Sequence, residues 1–432
     1  MMTLPTDFDL PPMYLVRQHL EPTRITDLPA AMREALEASG ALKAIRPGMS
    51  VAITAGSRGI VNIPVLLRAA VAAVRDRGGV PVILPTMGSH GGGTAEGQVE
   101  VLRSLGVTEE SVGAPVVSSL ETILLGTTPD GIPVYGSTDA AQARGILVIG
   151  RVKPHTDFKG PLESGLAKMM VIGLGKHRGA ITAHGYARQY GLAHVIPAMA
   201  RVVLEKSRIL GCVAILENGR EETAHLVGLP TTGLLEAEEE LQVQAKELLG
   251  RIPYPALDLL IVDEVGKNIS GAGMDTNVIG RVSAGPNGTV KQLIDVRRIF
   301  ARSLTEQSHG NAAGLPLADV VHRRLEEAID RDITYTNMLT SSSRGRLSFL
   351  PPVAPSDRQG IAWCLLTGDP PAAGPGGDSR KAAIVRIKNT LELTTFWISE
   401  ALIGQTEADP TLEVVRGPEP LVFDAAGDLE PF

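Results

Sequence analysis

The chain alternates short, wholly apolar runs with segments whose apolar residues recur every three to four positions. Met49–Thr54 (MSVAIT) ends at the polar AGSRG, and beyond it Ile63, Leu66, Leu67, Ala70, Val71 and Val74 fall on one helical face. Asn62 stands where a helix cap is wanted, Pro64 in the first turn and Gly78 at the end. VPVILP, Val80–Pro85, follows as a second apolar run. Strand, helix, strand in this order predicts a parallel pair with a helical crossover.

The pattern then repeats: a GSHGGG loop, a helix over Thr94–Leu105, and the apolar run GILVIG, Gly145–Gly150. Ligands of such sheets gather beyond the carboxyl ends of the strands. Three loops fit that position: Gly56–Gly59, Gly88–Gly93 and Arg151–Gly165. A helix with an acidic first turn (LLEAEEELQVQAKELL) precedes another strand, Leu257–Glu264, after which the texture becomes glycine-rich, GKNISGAGMDTNVIGR. SFLPPVAPSDRQG and TGDPPAAGPGGDS read as loops. The expectation is an α/β protein of two domains with mostly parallel sheets, residues 1–256 and 257–432, the second closing a substrate cleft.

Composition narrows the function classes. A chain of 432 residues exceeds what one core supports, and 44% hydrophobic with 21% charged residues at a mean hydropathy of +0.10 describes a folded protein. The net charge of -7, with no block of like charges, argues against nucleic acid and anionic membrane and leaves small molecules as partners. Two cysteines, Cys212 and Cys364, both in apolar runs, read as buried thiols. No secretory pattern opens the sequence, and no apolar run reaches the roughly 18 residues of a membrane span, so the expected location is cytoplasmic.

Of nine histidines, His90 in GSHGGG, His155 in RVKPHTDF and His184 in TAHG stand where chemistry would want an acid, base or metal ligand. GLGKH is a poor match to a phosphate loop, since GxxxxGK[ST] is absent. Lys168, flanked by apolar residues in SGLAKMMVIG, suits a nucleophile or covalent tether.

RVKPHTDFKGPLESGLAKMMVIGLGKHRGAITAH resembles the cofactor-holding segment of the nickel-pincer nucleotide-dependent lactate racemase family. In that family a histidine precedes a glycine-rich turn and a lysine, and a second histidine follows 16 residues later. Here 184 − 168 = 16, with Gly173 in register. The resemblance implies that Lys168 is joined covalently to the nickel-bearing pyridinium-3,5-bisthiocarboxylic acid mononucleotide, that Gly173 lies in its binding segment and that His184 is the remaining nickel ligand. It also implies that His90 and His155 take and return the hydroxyl proton from opposite sides of the substrate. Hydride meanwhile passes from the neighbouring carbon to the cofactor and back. Arg58, after the first strand, matches an arginine of the family suited to a carboxylate or phosphate.

The sequence also departs from the family. Ala55 stands where an aspartate is usual, and the His155 to Lys168 spacing, 168 − 155 = 13, is about three residues longer than expected. In the C-terminal half only Asp275 and Asn277 recur, with Lys267, Asn268 and Arg281 bracketing them as further substrate-binding candidates. The expected activity is therefore racemisation or epimerisation of a 2-hydroxy acid other than lactate, such as a sugar acid or a dicarboxylic hydroxy acid, with cofactor-synthesis proteins as loading partners. A hydrolase with zinc on His90, His155 and His184, and a carrier of small anions, are the alternatives.

Overall fold

A computed structural model describes residues 8–57, 59–156, 158–281, 294–340, 350–367 and 378–432. The chain divides into two compact units: residues 22–249 with 284–288, and residues 1–21, 250–283 and 289–432. The sequence pattern put the boundary at 256/257 with the N-terminus in the first domain. The first strand, Met13–Gln18, instead pairs antiparallel with Thr395–Ser399 and Leu412–Glu419, far along the chain, which no local pattern reveals.

The unit of residues 22–249 is built on a five-stranded sheet in the order Val80–Pro85, Ser50–Ala55, Gly145–Arg151, Ile209–Glu217, Thr223–Leu229. The first four strands run parallel and the last is antiparallel. The predicted runs thus become neighbours, with Ile53 opposite Ile83 on one side and Leu147 on the other. The helix Ile63–Asp76 buries the expected stripe, Ile63, Leu66, Leu67, Ala70, Val71 and Val74. Asn62 precedes it but does not cap it, because its amide donates to Thr223 Oγ1 at 3.1 Å. The helix expected over Thr94–Leu105 runs Ala95–Ser104, capped by Thr94 accepting from the Gly97 N–H. Two apolar clusters cover opposite faces of the sheet, Ala52 and Val148 belonging to one and Val51, Ile53, Leu147 and Ile149 to the other. Cys212 is buried in the first, where burial pushes its thiol up.

The other unit carries an eight-stranded sheet in which Val353–Ala354, Val320–His322, Asp295–Leu304, Ala256–Val265 and Ile384–Ile387 are parallel and the remaining three strands antiparallel. This is the α/β class expected. Within SFLPPVAPSDRQG the structure differs from a loop: Val353–Ala354 is a strand and Asp357 opens the helix Asp357–Leu366, capped by Ser356 accepting from Gln359. Most of TGDPPAAGPGGDS lies outside the described residues.

The core of this sheet holds charge. Arg302 donates to Asp357 at 3.0 and 2.6 Å and pairs with Asp263, which Arg386 also grips at 2.8 and 2.7 Å. Arg302 and Arg386 extend to the carbonyls of Leu429 and Glu430, tying down the last residues. Arg302 and Asp357 are 3% and 0% exposed, so removing one partner strands the other in a low dielectric. Arg302→Ala is expected to destabilise this unit by about 3–5 kcal/mol. Both tryptophans, Trp363 and Trp397, lie in it, so tryptophan fluorescence during urea unfolding reads the effect directly.

Candidate functional site

The segment around Lys168 is where the strand ends meet. Leu166–Lys168 is a single helical turn that runs into a π-helical turn, Met169–Gly173, closed by Leu174 N–H donating to the Met169 carbonyl at 2.9 Å. Such π-turns are uncommon and concentrate at functional sites. Met169 lies against the backbone at the carboxyl ends of two strands: a Cβ at Gly56 would stand 3.0 Å from its Cε, and one at Gly150 3.4 Å. Gly173 is buried under the same turn, where a Cβ would come within 3.0 Å of the Thr86 carbonyl at the end of the third strand. Its glycine is explained by this close approach. Lys168 itself is half-buried, its Nζ donating to Ser164 Oγ at 3.3 Å.

His90 and His155 come from the loops predicted. His90 is exposed on the Gly88–Gly93 loop, and its Nδ1 lies 2.5 Å from Ser57 Oγ on the neighbouring strand's loop. Gly88 has φ +63, and a Cβ there would meet Ile172 of the π-turn at 2.8 Å and Ala180 at 3.4 Å. That loop therefore lies against both the Lys168 turn and the helix Lys176–Tyr190. His184 is on this helix, half-buried, four residues after Ala180 and so on the same face. Arg58, the remaining candidate of these loops, lies outside the described residues.

His155 hangs on a loop closed at its neck by an antiparallel bridge between Lys153 and Ser164, the same Ser164 that meets Lys168. This neck accommodates the longer His155 to Lys168 spacing. The His155 N–H donates to Glu163 Oε2 at 2.7 Å, its carbonyl accepts from Lys159 Nζ at 2.8 Å, and its ring stands 4.5 Å from Phe158. Glu163, 1% exposed, is also paired with Lys246 at 2.8 Å.

Four groups around this arrangement, Lys246, Glu238, Lys176 and Ser57, were not singled out from the sequence as site residues. Lys246 and Glu238 both project from the helix Leu234–Leu248, so one helix braces the His155 loop and the Lys168 turn. Glu238 Oε2 accepts the Ala167 N–H at 2.9 Å, and its Oε1 fills the space a Cβ at Gly165 would take. Burial pushes the Glu238 carboxyl up to about 7 against the opposing pull of the Ala167 and Leu166 N–H groups. A signal existed, since Glu238 sits at the inward position between Leu234 and Leu241 or Gln242. Lys176, fully buried at φ +54, donates to the Pro85 carbonyl at 2.7 Å and locks the end of the Val80 strand to the start of the His184 helix. Burial lowers its ammonium to about 8, with Asp139 opposing. Ser57, small and beside a charged residue, gave no signal.

No protein-family model matches the chain, and no curated protein matches it. Among solved structures it is similar to the lactate racemase apoprotein from Thermoanaerobacterium thermosaccharolyticum, with 15% identity and a TM-score of 0.45 over 84% of this chain and 82% of that one. A likeness of that degree says nothing of activity.

The C-terminal candidates serve the fold of their own unit. Asp275 caps the short helix Thr276–Ile279, accepting from the Asn277 N–H at 2.9 Å and its amide at 2.8 Å. Arg281 is held by Asp319 at 2.5 Å and by the Leu317 carbonyl at 2.8 Å. Lys267 Nζ donates to the Gly271 carbonyl at 2.6 Å, and Asn268 Oδ1 accepts from Thr305 Oγ1 at 2.6 Å. Lys267 and Asn268 lie beyond the carboxyl ends of the Ala256 and Asp295 strands, whereas Arg281 lies at the amino end of the Asp295 strand, where it also donates to the Val296 and Arg297 carbonyls.

The zinc-hydrolase alternative loses its ligand set. Among the described residues the one group of three His, Cys, Asp or Glu side chains with ligand atoms within 4.8 Å of one another is His322, Asp357 and Asp428; His90, His155 and His184 form none. That other group is already bonded to arginine, Arg324 standing 2.8 Å from Asp357 and 3.3 Å from Asp428. A pocket of about 160 Å³ beside Ile123, Leu125, Ile146 and Arg208 lies at the far end of the Gly145 strand and is lined by none of the candidate residues.

Glu238 gives the site a pH signature. Its folded-state pKa is raised from an ordinary 4.5 to about 7, so the folded state binds the proton more tightly than the unfolded chain. Stability from this group is fully present below about 4.5 and declines as pH rises to about 7. Glu238→Gln keeps an acceptor for Ala167 and removes the titration. Urea midpoints across this range should therefore fall more steeply with pH for the wild type than for the variant.

Proposed function

We propose that this chain is a racemase or epimerase of a 2-hydroxy acid, working with a nickel-pincer nucleotide tethered to Lys168. The observation that carries the reading is the convergence on one turn. Lys168 ends the short helical turn that leads into a π-turn seated against the ends of three parallel strands, His90 and His155 lie on the loops beyond two of them, and His184 is on the helix that follows.

The residues present fit that group. The tether must be an amine that a large mononucleotide can reach; Lys176 is fully buried, whereas Lys168 is half-buried. A group that brings its own sulfur and carbon donors needs one imidazole from the protein, and His184 supplies it. No cluster of three histidines is called for. Arg58 is assigned to the substrate carboxylate or the cofactor phosphate, for which a guanidinium fork is the better partner than an ammonium. Loading by cofactor-synthesis proteins, in the cytoplasm, is part of this reading.

Held by Lys168 and His184, the nucleotide would supply the hydride chemistry at the hydroxyl-bearing carbon. The chain's own residues do the rest. His90 and His155 take the hydroxyl proton and give it back, and a base on either side is what inversion of a secondary alcohol requires. The Lys168 turn would hold a tethered group beside strand ends from which the His90 and His155 loops start, so part of the entropy of bringing the parts together would be met in folding.

Protein co-expressed with the cofactor-making enzymes is expected to convert single enantiomers or epimers of some members of a panel of 2-hydroxy acids, sugar acids included, into mixtures resolved by chiral chromatography. His90→Ala and His155→Ala should each lower turnover by about 100-fold or more while nickel content is retained. A loaded protein that leaves the configuration of every panel member unchanged would refute the reading.

A further inference from the structure

His90 and Ser57 occupy the loops after two adjacent parallel strands, Val80–Pro85 and Ser50–Ala55. Ser57 Oγ and His90 Nδ1 are 2.5 Å apart. Ser57 has little freedom to be elsewhere, because the backbone before it at Gly56 is packed on Met169 and His90 is anchored by its N–H donating to the Met87 carbonyl at 3.2 Å. The ring is exposed, and the Ser57 contact is one that bears on its rotation.

Which imidazole nitrogen carries the proton is decided by the bond the other one makes. A neutral imidazole in water prefers its proton on Nε2, which leaves no lone pair there to receive one. A hydroxyl oxygen beside Nδ1 can accept, and a proton on Nδ1 hands the lone pair to Nε2. Building on the racemase reading, we propose that Ser57 is the positioning residue for His90, accepting from Nδ1–H so that Nε2 takes the substrate's hydroxyl proton. In the reverse direction the imidazolium keeps the same Nδ1–H bond while Nε2 gives the proton back. A carboxylate in this place would favour the cation. A neutral hydroxyl serves both charge states, which suits a residue that must act as base in one direction and acid in the other.

The test uses the full chain without cofactor, labelled with ¹⁵N-histidine and studied at about pH 8.5, above the ordinary histidine range. His90→Gln identifies the His90 signals. The wild type is expected to show the Nδ1–H form in excess, Ser57→Ala to shift the tautomer ratio towards Nε2–H by about fivefold, and Ser57→Thr to keep the wild-type ratio. In loaded protein, given the panel acid it turns over fastest, Ser57→Ala should lower kcat about tenfold with KM within about twofold, and Ser57→Thr should restore it. An Nε2–H form dominant in the wild type, or an unchanged ratio in Ser57→Ala, overturns the assignment. Loaded wild-type protein without turnover would sink the racemase reading instead, and the tautomer measurement still decides the role of Ser57.

Discussion

The site depends on a close approach of backbone to side chain beneath Lys168. The end of the Met169 side chain packs closely on Gly56, 3.0 Å from where a Cβ would stand, and in ordinary contact with Gly150, and Gly173 lets the Thr86 carbonyl come up against the turn. Interiors are packed too tightly for such contacts to relax independently, so the ends of the Ser50, Val80 and Gly145 strands and the turn form one rigid body. The histidine loops start from those same strand ends. Their placement is therefore set by the sheet, and the loops have only to carry the last few residues.

Buried polar groups complete what packing begins. Glu238 accepts the Ala167 N–H, Glu163 accepts the His155 N–H, and Lys176 donates to the Pro85 carbonyl. Each engages a main-chain group: that of Ala167 next to Lys168, that of His155 itself, and that of Pro85 at the end of the Val80 strand. Each is also costly to bury, as the raised carboxyl of Glu238 and the lowered ammonium of Lys176 show. Charges retained at such cost mark places where orientation matters more than stability.

The strands and helices of the first unit were legible because apolar runs and stripes report burial directly: Val80–Pro85 is a strand as read, and the Ile63 helix buries the stripe assigned to it. Long-range pairing was not legible. Met13–Gln18 joins the distant C-terminal sheet, and Asp357 starts a helix from a segment whose prolines read as loop. The loop positions of His90 and His155 could be read, since each follows an apolar run that forms a strand. Their supports were harder to see. Glu238 was visible only as a carboxylate in an apolar stripe, and Ser57 not at all, because a small hydroxyl residue in a loop has many ordinary uses. Asp275 and Asn277 bond each other at the start of a short helix, and Arg281 pairs with Asp319, 38 residues further on, a partner that no local pattern reveals.

The claim on which the functional account turns is that Lys168, and no other lysine, carries the cofactor. Mass spectrometry of protein co-expressed with the cofactor-making enzymes, intact and after proteolysis, measures this most directly. The account predicts a covalent increment confined to the peptide containing Lys168, accompanied by nickel and lost in Lys168→Ala. An unmodified chain under those conditions, or an increment on Lys176 or another lysine, would contradict it.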